Sequence, residues 1–295
     1  MLSRRTLLLG GTAAGAVAVA GAGIGVEQGV LPGRPWAQAH LGLNGEDGVI
    51  PRDVEPVLAV RHTFRSAQMG GQVPFMLLHP PDSGRPLPVV VALHGLGQHH
   101  DTVNDEIGLG AFLAQAIDRG VPPFAIAVPE GGTSYWHPQP DGDTGAMVTD
   151  ELLPELTGLG VDVSRIGLLG WSMGGYGALR LAGVLGPERV GAVVAASPAI
   201  WSDPDDASTT GFADADEYRE YSVVGHQDEL DGIPVRVDCG TGDPFYRDVE
   251  DYVEDFPDDA DLTSTFEPGA HDGGYWARML PAQLAFLGER VGSTS

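Results

Sequence analysis

Apolar residues along this chain fall into short unbroken runs separated by segments of helical spacing. The clearest run is Pro88-Val89-Val90-Val91-Ala92-Leu93, followed by Phe124 to Val128, Ile166 to Leu169, Ala192 to Ala196 and Val235 to Cys239. Leu262 to Phe266 reads as a sixth. Unbroken β-branched runs suit strands covered on both faces, as in a parallel sheet. Upstream, Val57 to Phe64 and Gln72 to Leu78 flank a Met69-Gly70-Gly71 turn and read as an edge hairpin. Helical spacing fills the gaps at Ile107 to Asp118, Gly145 to Leu156, Gly174 to Leu185, Pro244 to Phe256 and Tyr275 to Val291. In the last of these, Leu280, Leu284 and Leu287 share one face.

Strands alternating with helices predict an α/β domain with a mostly parallel sheet and helices on both sides. Such sheets bind ligands at the carboxyl ends of their strands, so chemistry is sought just after each apolar run. The polar, acidic stretch from Trp201 to Gly232 breaks the alternation. It predicts an excursion over the strand ends, either a lid or a solvated surface loop. Residues 40–55 are Gly-rich and irregular, a loosely held lead-in, and no internal repeat is present.

After the Ile166–Leu169 run stands Gly170-Trp171-Ser172-Met173-Gly174-Gly175-Tyr176-Gly177, a G-x-S-x-G pattern between a strand and a helix. This pattern makes a sharp turn that lifts the serine hydroxyl out of the sheet, with glycines where side chains would collide. It also sets the serine at a helix N-terminus, where the dipole favours developing negative charge. A serine needs a base, and in this arrangement the partners follow in the order acid, then histidine. Asp243 lies in Gly240-Thr241-Gly242-Asp243-Pro244, just past the Val235–Cys239 run. Asp238 is within that strand, and Asp248 and Glu250 lie on the next helix. His271 stands in Glu267-Pro268-Gly269-Ala270-His271-Asp272, past the Leu262–Phe266 run. Its rival His226 sits in the acidic excursion without a strand before it.

Three strand ends, in the right order, thus offer Ser172, Asp243 and His271, and the fold class is an α/β-hydrolase fold. Such a triad cleaves esters through an acyl-enzyme, and the tetrahedral oxyanion needs two N–H donors. One is Met173. The other comes from His94-Gly95-Leu96-Gly97 after the Pro88–Leu93 strand, with Leu96 as the choice and Gly95 or Gly97 as alternatives. His94, His99, His100 and Asp101 raise the question of a metal, but no further ligands converge on them, so no metal and no cofactor is expected.

These residues resemble an esterase family that includes esterase D (S-formylglutathione hydrolase), feruloyl esterases and the mycobacterial antigen 85 mycolyltransferases. The resemblance spans roughly residues 57–290. It rests on the His94-Gly95-Leu96 loop, the elbow at 170–177, Asp243, and His271 followed by Tyr275-Trp276. It implies acyl-ester chemistry, with Leu96 and Met173 as oxyanion donors. It also implies that Thr133-Ser134-Tyr135-Trp136 lies near the acyl or alcohol site, with Tyr135 and Trp136 as substrate contacts or as an aromatic pair packing a loop. The family holds hydrolases and acyltransferases. A secreted carboxylic-ester hydrolase is the leading reading, ahead of an acyltransferase on cell-envelope acceptors and a catalytically silent binding protein.

Composition narrows the partners. Sixteen basic residues, all arginine, stand against 41 acidic ones, for a net charge of −25. So negative a surface repels nucleic acid, and the partner expected is a small-molecule or envelope ester. The single cysteine, Cys239, excludes an intramolecular disulfide and reads as core packing. The first 39 residues read as a leader: Arg4-Arg5, a Gly/Ala-rich apolar stretch from Leu7 to Val26, and Ala37-Gln38-Ala39 before His40. Paired arginines point to the twin-arginine export machinery, with cleavage after Ala39 and no stable membrane insertion afterwards. An uncleaved anchor at 7–26 is the alternative. Residues 40–295 then form one catalytic domain.

Overall fold

The computed structural model describes residues 34–55, 57–81 and 84–291. Its strands are β1 (Leu58–Ser66), β2 (Gly71–His79), β3 (Pro88–Leu93), β4 (Ala125–Pro129), a small ladder of β5 (Pro138–Gln139) and β6 (Gly142–Asp143), β7 (Asp162–Trp171), β8 (Val190–Ala196), β9 (Val235–Gly240) and β10 (Leu262–Glu267). The main sheet has eight strands in the order β1-β2-β4-β3-β7-β8-β9-β10. β1, β2 and β4 pair antiparallel, while every pairing from β4 through β3, β7, β8 and β9 to β10 is parallel. The expected α/β architecture, with an edge hairpin beside a parallel sheet, is the one found.

The helices are α1 (Arg34–Leu41), α2 (Val103–Ile107), α3 (Leu109–Asp118), α4 (Thr144–Ala146), α5 (Leu153–Gly158), α6 (Met173–Leu185), α7 (Ala215–Tyr221), α8 (Tyr246–Glu254) and α9 (Gly273–Val291). A π-helical turn, Met147–Leu152, joins α4 to α5. The pleat divides β3 between two cores. Val89, Val91 and Leu93 pack on one face with Tyr176, Leu179 and Ala182 of α6. Val90 and Ala92 pack on the other with Phe112 of α3 and Leu280, Leu284 and Leu287 of α9. Every residue of β3 and β8 is buried, which explains their unbroken apolar runs.

Two stretches differ from expectation. The excursion after β8 is partly exposed but anchored, not a wholly solvated loop. Phe212, Tyr218, Val223 and Leu230 drop from its polar sequence into the core on the α6 side of the sheet. The lead-in is also tightly held. The Gly48 N–H donates to Gly274 O (2.8 Å), and a Cβ on Gly48 would lie 2.2 Å from Arg278 N. Arg278 reaches back to the Glu46 carbonyl (2.6 Å).

The expected processing site after Ala39 falls within α1, where Gln38 is buried and its amide donates to Thr241 Oγ1 (3.2 Å). The paired arginines and the stretch 7–26 lie outside the described residues. Among the described residues no helix is long and apolar enough to cross a membrane.

Candidate active site

β7 ends at Trp171, and the chain turns through Ser172 into α6 with φ 57° and ψ −125° at the serine. Such geometry stores roughly 1–3 kcal/mol at a residue with a side chain and survives only where its surroundings enforce it. Here they do. The Ser172 N–H donates to Ala196 O (3.0 Å), and its carbonyl accepts from Tyr176 N–H (3.1 Å) and Ala199 N–H (3.0 Å). The flanking glycines are steric necessities: a Cβ on Gly170 would lie 1.9 Å from Gly174 O, and one on Gly174 would lie 1.8 Å from Leu93 O.

The loops after β9 and β10 are laced together. Thr241 N–H donates to Glu267 O and Gly242 N–H to Gly269 O, both at 2.8 Å. Asp272 caps α9 by accepting from the Tyr275 N–H (2.9 Å), which fixes the residue just after His271. The His271 ring lies between Phe245 and Trp276, with ring centroids 5.2 Å from each. Asp243 has a fully buried side chain. Its Oδ1 accepts from the Phe245 N–H (2.9 Å) and its Oδ2 faces His271 Nδ1 (2.8 Å). On the other side of the ring, Nε2 lies 2.8 Å from Ser172 Oγ.

An ionised carboxylate only accepts, so His271 Nδ1 carries the hydrogen facing Asp243. In the neutral ring Nε2 then holds a lone pair and accepts from the Ser172 hydroxyl. The Ser172 hydroxyl thus contacts an imidazole that is itself held by a buried carboxylate, an arrangement that can activate a hydroxyl.

The loop after β3 lies against this centre, for a Cβ on Gly95 would lie 3.3 Å from Ser172 Cβ. Gly95 and Gln98 close a tight turn through Gln98 N–H to Gly95 O (3.2 Å), with Gly97 at φ 79°. Of the alternative donors, the Gly95 N–H is already committed to Gln98 Oε1 (3.0 Å). The Leu96 N–H makes no backbone hydrogen bond. Met173 opens α6, so its N–H lacks an intrahelical acceptor. The N–H groups of Leu96 and Met173 are thus both left without a backbone acceptor.

Sequence reasoning located the 133–136 stretch on a strand-end loop but not the direction of its side chains. Thr133 and Ser134 line a cavity of about 600 Å³, together with Glu130, Gly131 and Thr210. Tyr135 and Trp136 turn inward at φ 54° and 57° and are buried. Trp136 has no exposed surface. Its indole fits between Gly131 and Gly177, where an added Cβ would lie 2.4 and 2.5 Å from it. Tyr135 packs on Trp201 and Phe212, with centroids 6.1 and 5.3 Å away. Both residues pack the loop against the protein interior in this structure.

The rival groups lie elsewhere. Asp238 is buried in an ion pair with Arg236 (2.8 Å) and accepts from Gln283. His226 is exposed and pairs with Glu229 (3.4 Å). Cys239 is buried, and burial pushes its thiol well above the ordinary range, which keeps it unreactive.

Glu130 was missed from sequence. It accepts from His100 Nδ1 (2.8 Å) and His99 Nδ1 (3.2 Å) and lies 3.6 Å from His94 Nε2. Burial alone would raise its carboxyl. Hydrogen bonds from His100, the Gly132 N–H and His99 outweigh this and hold it well below the usual carboxylate range. Nothing in the sequence pattern joins position 130 to positions 94–100, since the contact depends on β3 and β4 being neighbours. Among the described residues no group of three or more His, Cys, Asp or Glu side chains is placed to hold a metal ion.

Comparison with known proteins adds to this geometry. The model of a family described as Putative esterase matches residues 66–287, well over half of the chain. The chain belongs to this esterase family. That membership supports the carboxylic-ester hydrolase expected from the sequence, and solved structures of low identity share the fold. A ferulic acid esterase superposes with a TM-score of 0.69 at 19% identity, covering 80% of this chain and 99% of the other. An S-formylglutathione hydrolase from Agrobacterium tumefaciens gives 0.66 at 20% identity, covering 83% and 99%. A fluorophosphonate-binding serine hydrolase of Staphylococcus aureus gives 0.66 at 18% identity, covering 79% and 99%. A search of curated protein sequences finds no match.

Proposed function

We propose that this esterase is a serine hydrolase in which Ser172 is the nucleophile, His271 the general base and acid, and Asp243 the orienting acid. The observation that carries the reading is the unbroken chain Asp243 Oδ2, His271 Nδ1, His271 Nε2 and Ser172 Oγ, with both contacts at 2.8 Å. His271 takes the hydroxyl proton as Ser172 Oγ attacks the ester carbonyl, and Asp243 stabilises the resulting imidazolium. The Met173 and Leu96 N–H groups hold the oxyanion. His271 returns the proton to the leaving alcohol, and water then cleaves the acyl-enzyme by the same relay.

The test is hydrolysis of p-nitrophenyl esters of graded acyl length by the native protein and by Ser172→Ala. Native activity, with a loss on the order of 10⁴-fold or more in the variant, supports the reading. Comparable rates in the two proteins overturn it.

The exported state is part of the same proposal, supported by Arg4-Arg5, the 7–26 apolar stretch and Ala37-Gln38-Ala39. Mass analysis of the product outside the cytoplasm decides where the leader ends. A chain beginning at His40 would have lost the Gln38–Thr241 contact.

A further inference from the structure

His94 takes no part in the proton relay, yet it is fully buried beside the elbow. Its Nε2 accepts from the Gly131 N–H (3.0 Å), and its Nδ1 lies 2.9 Å from Gly95 O. A backbone N–H only donates and a carbonyl only accepts. The two partners therefore dictate one tautomer, with the hydrogen on Nδ1 and the lone pair on Nε2.

The consequence follows from peptide geometry. The His94 carbonyl and the Gly95 N–H belong to one planar unit, and the Gly95 carbonyl and the Leu96 N–H to the next. The first plane is held at both ends, by Trp136 Nε1–H on His94 O (3.4 Å) and by Gln98 Oε1 on the Gly95 N–H (3.0 Å). The second is held at its oxygen by His94 Nδ1–H and the Gln98 N–H. Of the four polar groups in these planes, only the Leu96 N–H is left without a partner. Holding a trans peptide by its oxygen fixes the direction of its N–H on the opposite side.

We propose that His94 is a positioning residue of the oxyanion hole, which as the neutral Nδ1–H tautomer ties the Gly95 carbonyl to the Gly131 loop and so aims the Leu96 N–H at the oxyanion. This rests on the assignment of Leu96 and Met173 as oxyanion donors above. Every neighbour of the ring suits the neutral form or is already engaged. Trp136 presents its edge at 5.2 Å, and Glu130 is occupied by His99 and His100. Burial lowers the basicity of His94, against the opposing pull of Gly95 and Glu130.

The tautomer is read directly on the native protein from the ¹⁵N shifts of His94. A hydrogen on Nδ1 supports the inference, and one on Nε2 overturns it. The functional consequence is read by comparing an ester with its thionoester, whose sulfur accepts hydrogen bonds poorly. His94→Phe keeps a ring but neither polar contact. Its kcat for the ester should fall about a hundredfold, the scale of one lost oxyanion donor, with KM little changed and the ester preference collapsing. His94→Asn can still offer a donor to Gly95 O and should recover most of the preference.

A folded His94→Phe with native kcat and native preference overturns the proposal. Should that variant not fold, His94→Asn and the tautomer carry the test. Failure of the parent reading looks different: native protein with no ester preference, or with activity that survives Ser172→Ala.

Discussion

Replacing Asp243 with asparagine exchanges one carboxylate oxygen for an NH₂ group and leaves the shape of the site alone. The structure dictates which way the amide points. Oδ1 of Asp243 accepts from the Phe245 N–H at 2.9 Å, and an asparagine meets that demand only with its carbonyl oxygen. Its NH₂ group is then placed where Oδ2 stood, 2.8 Å from His271 Nδ1. A donor now faces this nitrogen, so the imidazole presents its lone pair there and carries its hydrogen on Nε2. That hydrogen faces Ser172 Oγ, and the ring has no lone pair left to take the serine proton. The side chain at 243 is fully buried, so water does not relieve the mismatch.

The expected loss in kcat is about 10⁴-fold, which is about 5.4 kcal/mol of transition-state stabilisation. KM and the urea midpoint should stay near native, because the hydrogen bonds are rearranged rather than lost. The assay is steady-state hydrolysis of p-nitrophenyl butyrate, alongside the rate of Ser172 labelling by a fluorophosphonate. A kcat within tenfold of native in folded Asp243→Asn would refute the tautomer argument, whatever the fate of other variants.

Two further predictions concern stability. Gly174→Ala drives a Cβ to 1.8 Å from the Leu93 carbonyl, a backbone collision, and should cost about 3 kcal/mol or more in urea unfolding. Gly158→Ala, at the end of α5 with nothing within 4 Å, should instead gain about 0.4–1 kcal/mol, and equal effects of the two would defeat the steric reading. On acidification, buried His94 and His137, both held neutral chiefly by desolvation, bind protons less readily folded than unfolded. Their contribution is therefore complete above the unfolded value of 6.5 and declines below it, by up to about 1.4 kcal/mol per pH unit for each ring. Melting temperature should fall from pH 7.5 to 5.5, above the range where Glu130 titrates, and a rise over that interval would contradict it.

Much of this site could be read from the chain because each part of it is local. The elbow needs glycine at 170 and 174 wherever the sheet places them, and Asp243 and His271 each follow an apolar run by a few residues. Strand periodicity then brings the three loops to one edge. Other features depended on which strands are neighbours. Glu130 reaches His99 and His100 only because β4 pairs with β3. The excursion from Trp201 to Gly232 looked solvated on composition, since its few apolar residues have no periodicity. Phe212 and Tyr218 are nonetheless drawn into an aromatic cluster with Trp201 of the same stretch and with Tyr135 from the distant loop after β4.

The lead-in shows the same limit from the opposite side. Glycines at 45 and 48 suggested slack, whereas both are places where Arg278 or the α9 backbone comes too close for a Cβ. Glycine in a sequence marks conformational freedom and close approach alike, and only the partner surface distinguishes them. In this chain that partner is the first turns of α9, directly after His271. The Gln38 and Gly48 contacts therefore bind the N-terminal segment to the two loops that carry Asp243 and His271. Gln38, which read as part of the leader, and Gly48 of the lead-in thus hold this segment beside Asp243 and His271.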